Sequence, residues 1–189
     1  MPMKLFTKLY PLSFQLWLIL LLPGYLYAQS NPDREYKLKA VFLFNFTQFI
    51  EWPPASFENG DSPLVIGVLG ANPFGSYLEQ TVSGEKVNGH PVAVQYYSNE
   101  KEAAQCHILY INITESKKRK EIIEALKGQS VLTVADAPDF TKSGGMIRFF
   151  TSTNKIKLQI NPEASKEGKL MLSSKLLRLA EIYNPGKTN

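Results

Sequence analysis

Cysteine is almost missing: Cys106 is the only one in 189 residues, and only two histidines, His90 and His107, accompany it. A single thiol excludes an intramolecular disulfide, so the folded chain must be held by its apolar core. Two histidines with no acidic residues at ligand spacing argue against a metal site. Cys106 and His107 are neighbours, which suggests a nucleophile and its base. They open a β-branched run, however, where adjacent side chains point to opposite faces and cannot meet. Cys106 therefore reads as a buried structural thiol. His90, in the turn sequence "NGHP", reads as exposed.

Phosphate-binding signatures are missing too. "GANPFG" (residues 70–75) follows an apolar run, a place where parallel α/β sheets bind ligands, but it is neither a P-loop nor GxGxxG. Pro73 starting a helix, with Phe74 packing beneath it, accounts for the loop. In "VLTVADAPDFTKSGGMIRFF" (residues 131–150), Asp136 and Asp139 lie three apart with no acidic or basic partner close in sequence. Asp139 reads as the cap of a short helix over "FTKS", and Gly144-Gly145 as the reversal into the next strand. No catalytic constellation emerges, so the expectation is a non-enzymatic protein with no cofactor and no metal.

Charge of one sign is also scarce. The formal net charge is +4, and Lys4 and Lys8 supply half of it; the rest of the chain carries 19 basic against 17 acidic residues. That balance gives no reason to expect nucleic acid. The densest basic run, "KKRK" (residues 117–120), opens "ESKKRKEIIEALK", which reads as the solvated face of an amphipathic helix.

The longest apolar run, "PLSFQLWLILLL" (residues 11–22), is shorter than the roughly 20 residues a spanning helix needs. Preceded by Lys4 and Lys8 and followed by "LYA" at 26–28, it reads as a cleavable signal peptide over residues 1–28. Export to the periplasm is expected. With Gln29 rather than a cysteine directly after the cleavage point, a lipoprotein is not.

What remains is patterned as one α/β domain, residues 33–184. Residues 33–50 lack Gly and Pro, and Leu38, Val41, Phe42, Asn45 and Phe49 share one helical face, widened by Phe44 and Phe46. Asp33 is placed to cap this aromatic helix, and "WPP" at 52–54 ends it. Strands are expected at 64–69, 92–97, 108–113 and 131–135, alternating with helices at 74–82, 99–105 and 115–127. Such alternation implies a mainly parallel sheet. Residues 146–150 and 155–160 flank "TSTN" and read as a β-hairpin whose second strand has a wet face of Lys155, Lys157 and Gln159 at a sheet edge. Helices at 162–167 and 174–183 close the chain. The expected architecture is a three-layer α/β sandwich of about six strands.

Five ordered blocks, "KAVFLFNFTQFIEWPP", "VLGANPFG", "CHILYI", "VLTVADAPDFTKSGGMIRFF" and "LSSKLLRLAEIY", together resemble the YfiR-like family of exported bacterial proteins. The resemblance implies a periplasmic repressor acting on the extracytoplasmic sensor region of a membrane diguanylate cyclase; a membrane sensor kinase is the other partner expected. It also implies an outer-membrane-associated partner that sequesters the repressor. Well-described members carry paired cysteines; Cys106 alone does not support carrying over their redox behaviour. Phe46, Phe49, Trp52, Phe74, Arg148 and Arg178 are the candidate partner-binding residues. The arginines are equally open to structural ion pairing, and the aromatic helix is also a candidate homodimer surface. The alternative is a small-molecule sensor with a pocket between residues 70–75 and 136–145.

Overall fold

The computed structural model describes residues 32–184; the expected signal peptide lies outside them. Helix α1 spans Pro32–Phe46. Asp33 falls in its first turn rather than at a cap, and pairs with Lys37 one turn on, 3.0 Å away. The helix ends before "WPP", because the Thr47 hydroxyl donates to the Phe44 carbonyl and the chain turns into strand β1, Ile50–Glu51.

The sheet strands follow: β2 Leu64–Gly70, β3 Lys86–Val87, β4 His90–Tyr97, β5 Ile108–Asn112, β6 Leu132–Ala135, β7 Ile147–Ser152 and β8 Lys155–Ile160. Helices α2 (Tyr77–Val82), α3 (Glu100–Ala103) and α4 (Ser116–Ala125) are threaded between them. Asn99 caps α3 by accepting the Glu102 N–H, which explains why that helix starts where it does. The chain closes with α5 (Pro162–Glu167), β9 (Met171–Leu172), α6 (Ser174–Arg178) and β10 (Ala180–Ile182).

Eight strands form the main sheet in the order β10-β8-β7-β6-β5-β2-β4-β3. From β4 through β7 all pairs are parallel. The two strands beyond the expected six are the two edges. Short β3 folds back antiparallel on β4, and β10 runs parallel to β8. The expected helix over 174–183 therefore stops at Arg178. Beyond it, Ala180 and Ile182 face one way and Glu181 the other, with strand periodicity, and the free edge of β8 offers backbone partners. So β8 is not an edge. The β7–β8 hairpin turns on Thr153 and Asn154, both at positive φ (50° and 58°), the signature of a two-residue type I′ turn. β1 and β9 form a separate two-stranded ribbon.

Two cores flank the sheet. The first lies under α1, α2 and the C-terminal elements and includes Leu43, Phe46, Phe74, Tyr110, Phe149 and Leu176. The second lies under α3 and α4 and includes Leu69, Cys106, Leu109, Ile122 and Phe140. These layers make the three-layer sandwich.

Candidate functional site

The second layer does not extend over the whole sheet. Its core takes residues from β2, β5 and β6 but none from β7, β8 or β10. Pleating sends Ile147, Phe149, Ile156, Leu158 and Ile160 toward the first core, so Arg148, Phe150, Lys157 and Gln159 point the other way. Arg148 sits across from Gln159 and Phe150 across from Lys157; Glu181 extends the row beside Gln159. Phe150 is half-buried yet belongs to neither core, and the Arg148 guanidinium carbon lies 5.2 Å from its ring centroid. Arg148 Nε is buried with no hydrogen-bond partner among the described residues. Gln159 Oε1, across the strand pair, accepts from the Thr141 hydroxyl at 2.6 Å. The result is a basic, half-exposed sheet face that the second core does not cover, with the turn at Thr141 resting on its Gln159 end.

The apolar face of α1 is not the one its sequence pattern suggests. Ala40, Leu43, Phe46 and Thr47 are buried, whereas Leu38 and Val41 are 46% and 44% exposed. Phe46 stacks on Phe149 at 5.9 Å, and Phe74 meets Tyr110 and Tyr36 edge-on. Both are 1% exposed, so neither presents surface to a partner in this fold. Phe49 and Trp52 are half-buried against the same core, and Trp52 Nε1 donates to the His107 carbonyl. Arg178 lies exposed on α6, 3.4 Å from the Ser174 hydroxyl. The segments carrying Phe46, Phe49, Trp52 and Phe74 pack on the first core, so the structure does not bring them together with Arg148 on the opposite sheet face.

Lys39, which the sequence pattern did not single out, is buried beneath α1 between Glu35 and Asp136, each 2.6 Å away. Burial opposes its charge, yet the hydrogen bonds to Asp136 and Glu35 outweigh that and raise its pKa. A charged residue inside the apolar stretch "LKAVFLF" was the available signal. Phe150 was recoverable as well: a two-residue hairpin turn pairs it with Lys157 and so places it on the wet face.

The strand order β4-β2-β5-β6-β7 reverses direction between β2 and β5, the position where open α/β sheets form ligand crevices. Here the loop closes on itself. Gly70 has φ +96° and is so near β5 that an added Cβ would meet the Asn112 carbonyl oxygen at 2.5 Å. Asn112 donates to the Ala71 carbonyl, and Asn72 both accepts from Phe74 N–H and donates to the Gly75 carbonyl. A cleft of about 280 Å³ lies instead at the other end of the strands, lined by Lys127, Thr133, Lys142, Asn161, Glu163 and Tyr183 among others. Asp139 does not cap the "FTKS" turn. It accepts from Ser116 and Arg119, which together hold its pKa below the usual carboxylate range. Arg119, part of the basic run expected to be solvated, is buried and also donates to the Ile113 and Thr114 carbonyls.

Cys106 packs in the second core, and burial pushes its thiol pKa up. His107 turns the other way, with Phe57 stacked between it and His90 at 4.4 and 4.0 Å. His90 is thus half-buried rather than exposed. His107 Nδ1 accepts the Val65 N–H, and burial lowers its pKa to about 4.

Fold and surfaces together define an α/β sandwich with two distinctive exposed features, an apolar helix stripe and a basic sheet face. The chain belongs to the YfiR/HmsC-like family, which matches residues 36–181. Proteins of that family are generally periplasmic regulators of cyclic-di-GMP signalling, not catalysts. No curated protein matches the chain. Among the described residues no helix is long and apolar enough to cross a membrane.

Proposed function

We propose that this protein is a periplasmic, non-enzymatic regulator that binds and represses the extracytoplasmic sensor region of an inner-membrane signalling protein, a diguanylate cyclase before a sensor kinase. The observation that carries the reading is the outer stripe of α1, where Leu38 and Val41 stand 46% and 44% exposed beside half-buried Phe42 and Phe44. An apolar stripe on a rigid surface helix is a ready contact for another protein. Repression follows if the stripe binds the inactive arrangement of the sensor better than the active one, since equal binding shifts nothing. An outer-membrane-associated sequestering protein, or a second copy of the chain, would relieve repression by covering the same stripe.

The test is pull-down of the exported chain from membranes, paired with a cyclic-di-GMP measurement in cells with and without it. Recovery of a membrane cyclase by the wild type, with loss of recovery and of repression in Leu38→Asp/Val41→Asp, is the expected result. Unchanged cyclic-di-GMP on deletion of the protein sinks the reading.

The cleft of about 280 Å³ supports a second reading, a small-molecule sensor. A ligand at 100 times its dissociation constant adds about 2.7 kcal/mol of stability, so a thermal-shift screen against periplasmic metabolites decides it. A flat melting temperature throughout removes that reading.

A further inference from the structure

We infer that the half-exposed face of β7, β8 and β10 is a docking surface for an acidic polypeptide segment, with Arg148 receiving one carboxylate of that segment. This rests on the reading that the protein works by binding another protein, and it adds the partner's chemistry. Three cations, Arg148, Lys155 and Lys157, share the face with one acid, Glu181. The ion pair there among the described residues, Lys157–Glu181, is 3.7 Å long and exposed on both sides, so it holds Lys157 weakly.

Arg148 carries the specificity. Its Nε is buried and has no partner among the described residues, which leaves a desolvated donor unmatched. Its guanidinium is held near the Phe150 ring, so the fork is oriented in advance and loses less freedom when a ligand arrives. A carboxylate matches the two terminal nitrogens, which unlike Nε are not buried, in two parallel hydrogen bonds. Phe150, packed into neither core, gives the incoming chain an apolar contact beside the charge. The other basic run, at 117–120, has no such pre-oriented group. Its buried member, Arg119, already holds Asp139 and two carbonyls.

Titration of the ¹⁵N-labelled exported chain with blocked hexaglutamate, followed by NMR, tests this. The expected result is saturable shifts at the Arg148 Nε–H and at the Phe150 and Lys157 amides. Arg148→Gln should weaken binding at least about ten-fold, as loss of a charge-assisted bidentate contact requires. That variant removes an unmatched buried donor and leaves both cores intact, so it should fold normally; Phe150→Leu, with charge kept and ring lost, is the second variant and should weaken binding less. No saturable shift at Arg148, or shifts equally strong at residues 117–120, overturns the inference. Flotation with phosphatidylglycerol vesicles that depends on Arg148, without peptide binding, overturns it in favour of a lipid surface. Cyclic-di-GMP measurements separate the two proposals. Equal repression by wild type and Arg148→Gln overturns this surface but keeps the regulator. No repression by the wild type removes the regulator, and the titration still decides the face.

Discussion

Lys39 Nζ lies 2.6 Å from Asp136 Oδ2, joining residues 97 positions apart in the chain. The contact fastens α1 to the C-terminal end of β6. The Lys39 side chain is 4% exposed, whereas Asp136 and Glu35 keep 33% and 27% of theirs in contact with solvent.

That asymmetry predicts unequal costs. Asp136→Ala leaves a buried cation with Glu35 as its remaining partner and should cost about 2–3 kcal/mol, below the range for a fully buried pair. Lys39→Met fills the same space, and Glu35 and part of the Asp136 carboxylate can reach water, with Asp136 Oδ1 staying buried. Its cost should be nearer 1 kcal/mol. Urea denaturation of both variants checks the order; a larger loss for Lys39→Met contradicts it.

The two faces of α1 should respond differently to truncation. Phe46→Ala opens a cavity in the first core and should cost about 3–5 kcal/mol. Leu38→Ala and Val41→Ala sit on the exposed stripe and should stay within about 0.5 kcal/mol. The same denaturation experiment reads both, and a Leu38→Ala cost comparable to that of Phe46→Ala would mean the helix is rotated.

Gly145 is needed for space. A Cβ there would lie 2.4 Å from the Phe140 ring, inside the second core. Gly145→Ala should cost about 1–3 kcal/mol by overpacking. Gly60→Ala, where nothing lies within 4 Å, should be close to neutral. Melting temperatures of the two variants make the comparison.

His107 should make the protein acid-sensitive. Its folded pKa is lowered by burial to about 4, from an ordinary value of 6.5. Below 6.5 the unfolded chain takes up a proton that the folded chain refuses, so stability falls as pH drops from 6.5 toward 4 and levels off beneath that. The shift corresponds to about 3 kcal/mol across the window. A proton on Nδ1 would also set two donors against each other at Val65 N–H. His107→Asn keeps an acceptor near that N–H and removes the titration, so its stability profile between pH 4 and 6.5 should be flatter than that of the wild type. Parallel profiles would show that His107 does not carry the effect.

Much of the architecture was legible in local patterns. Strand and helix periods alternate from β2 to β6, and "TSTN" between two alternating runs gave the hairpin. Strand period and turn chemistry are short-range properties, set by pleat geometry and allowed backbone angles within a few residues. The wet face of Lys155, Lys157 and Gln159 followed from the same alternation. The edge strands were harder. Ala180–Ile182 follows a helical run too closely for periodicity to separate it, and only the open edge of β8 makes it a strand.

The sequence by itself determined that this chain folds as one α/β unit on an apolar core, and which blocks identify its family. Tertiary structure decided which apolar residues are core and which are surface. It buried Phe46 and Phe74, exposed Leu38 and Val41, and matched Lys39 to Asp136 across 97 residues. It also left Arg148 and Phe150 on a sheet face without a helix above them. The physical reason is that burial depends on what packs opposite a residue. An apolar helix wider than one stripe has several faces it can bury, and only the sheet it meets selects among them.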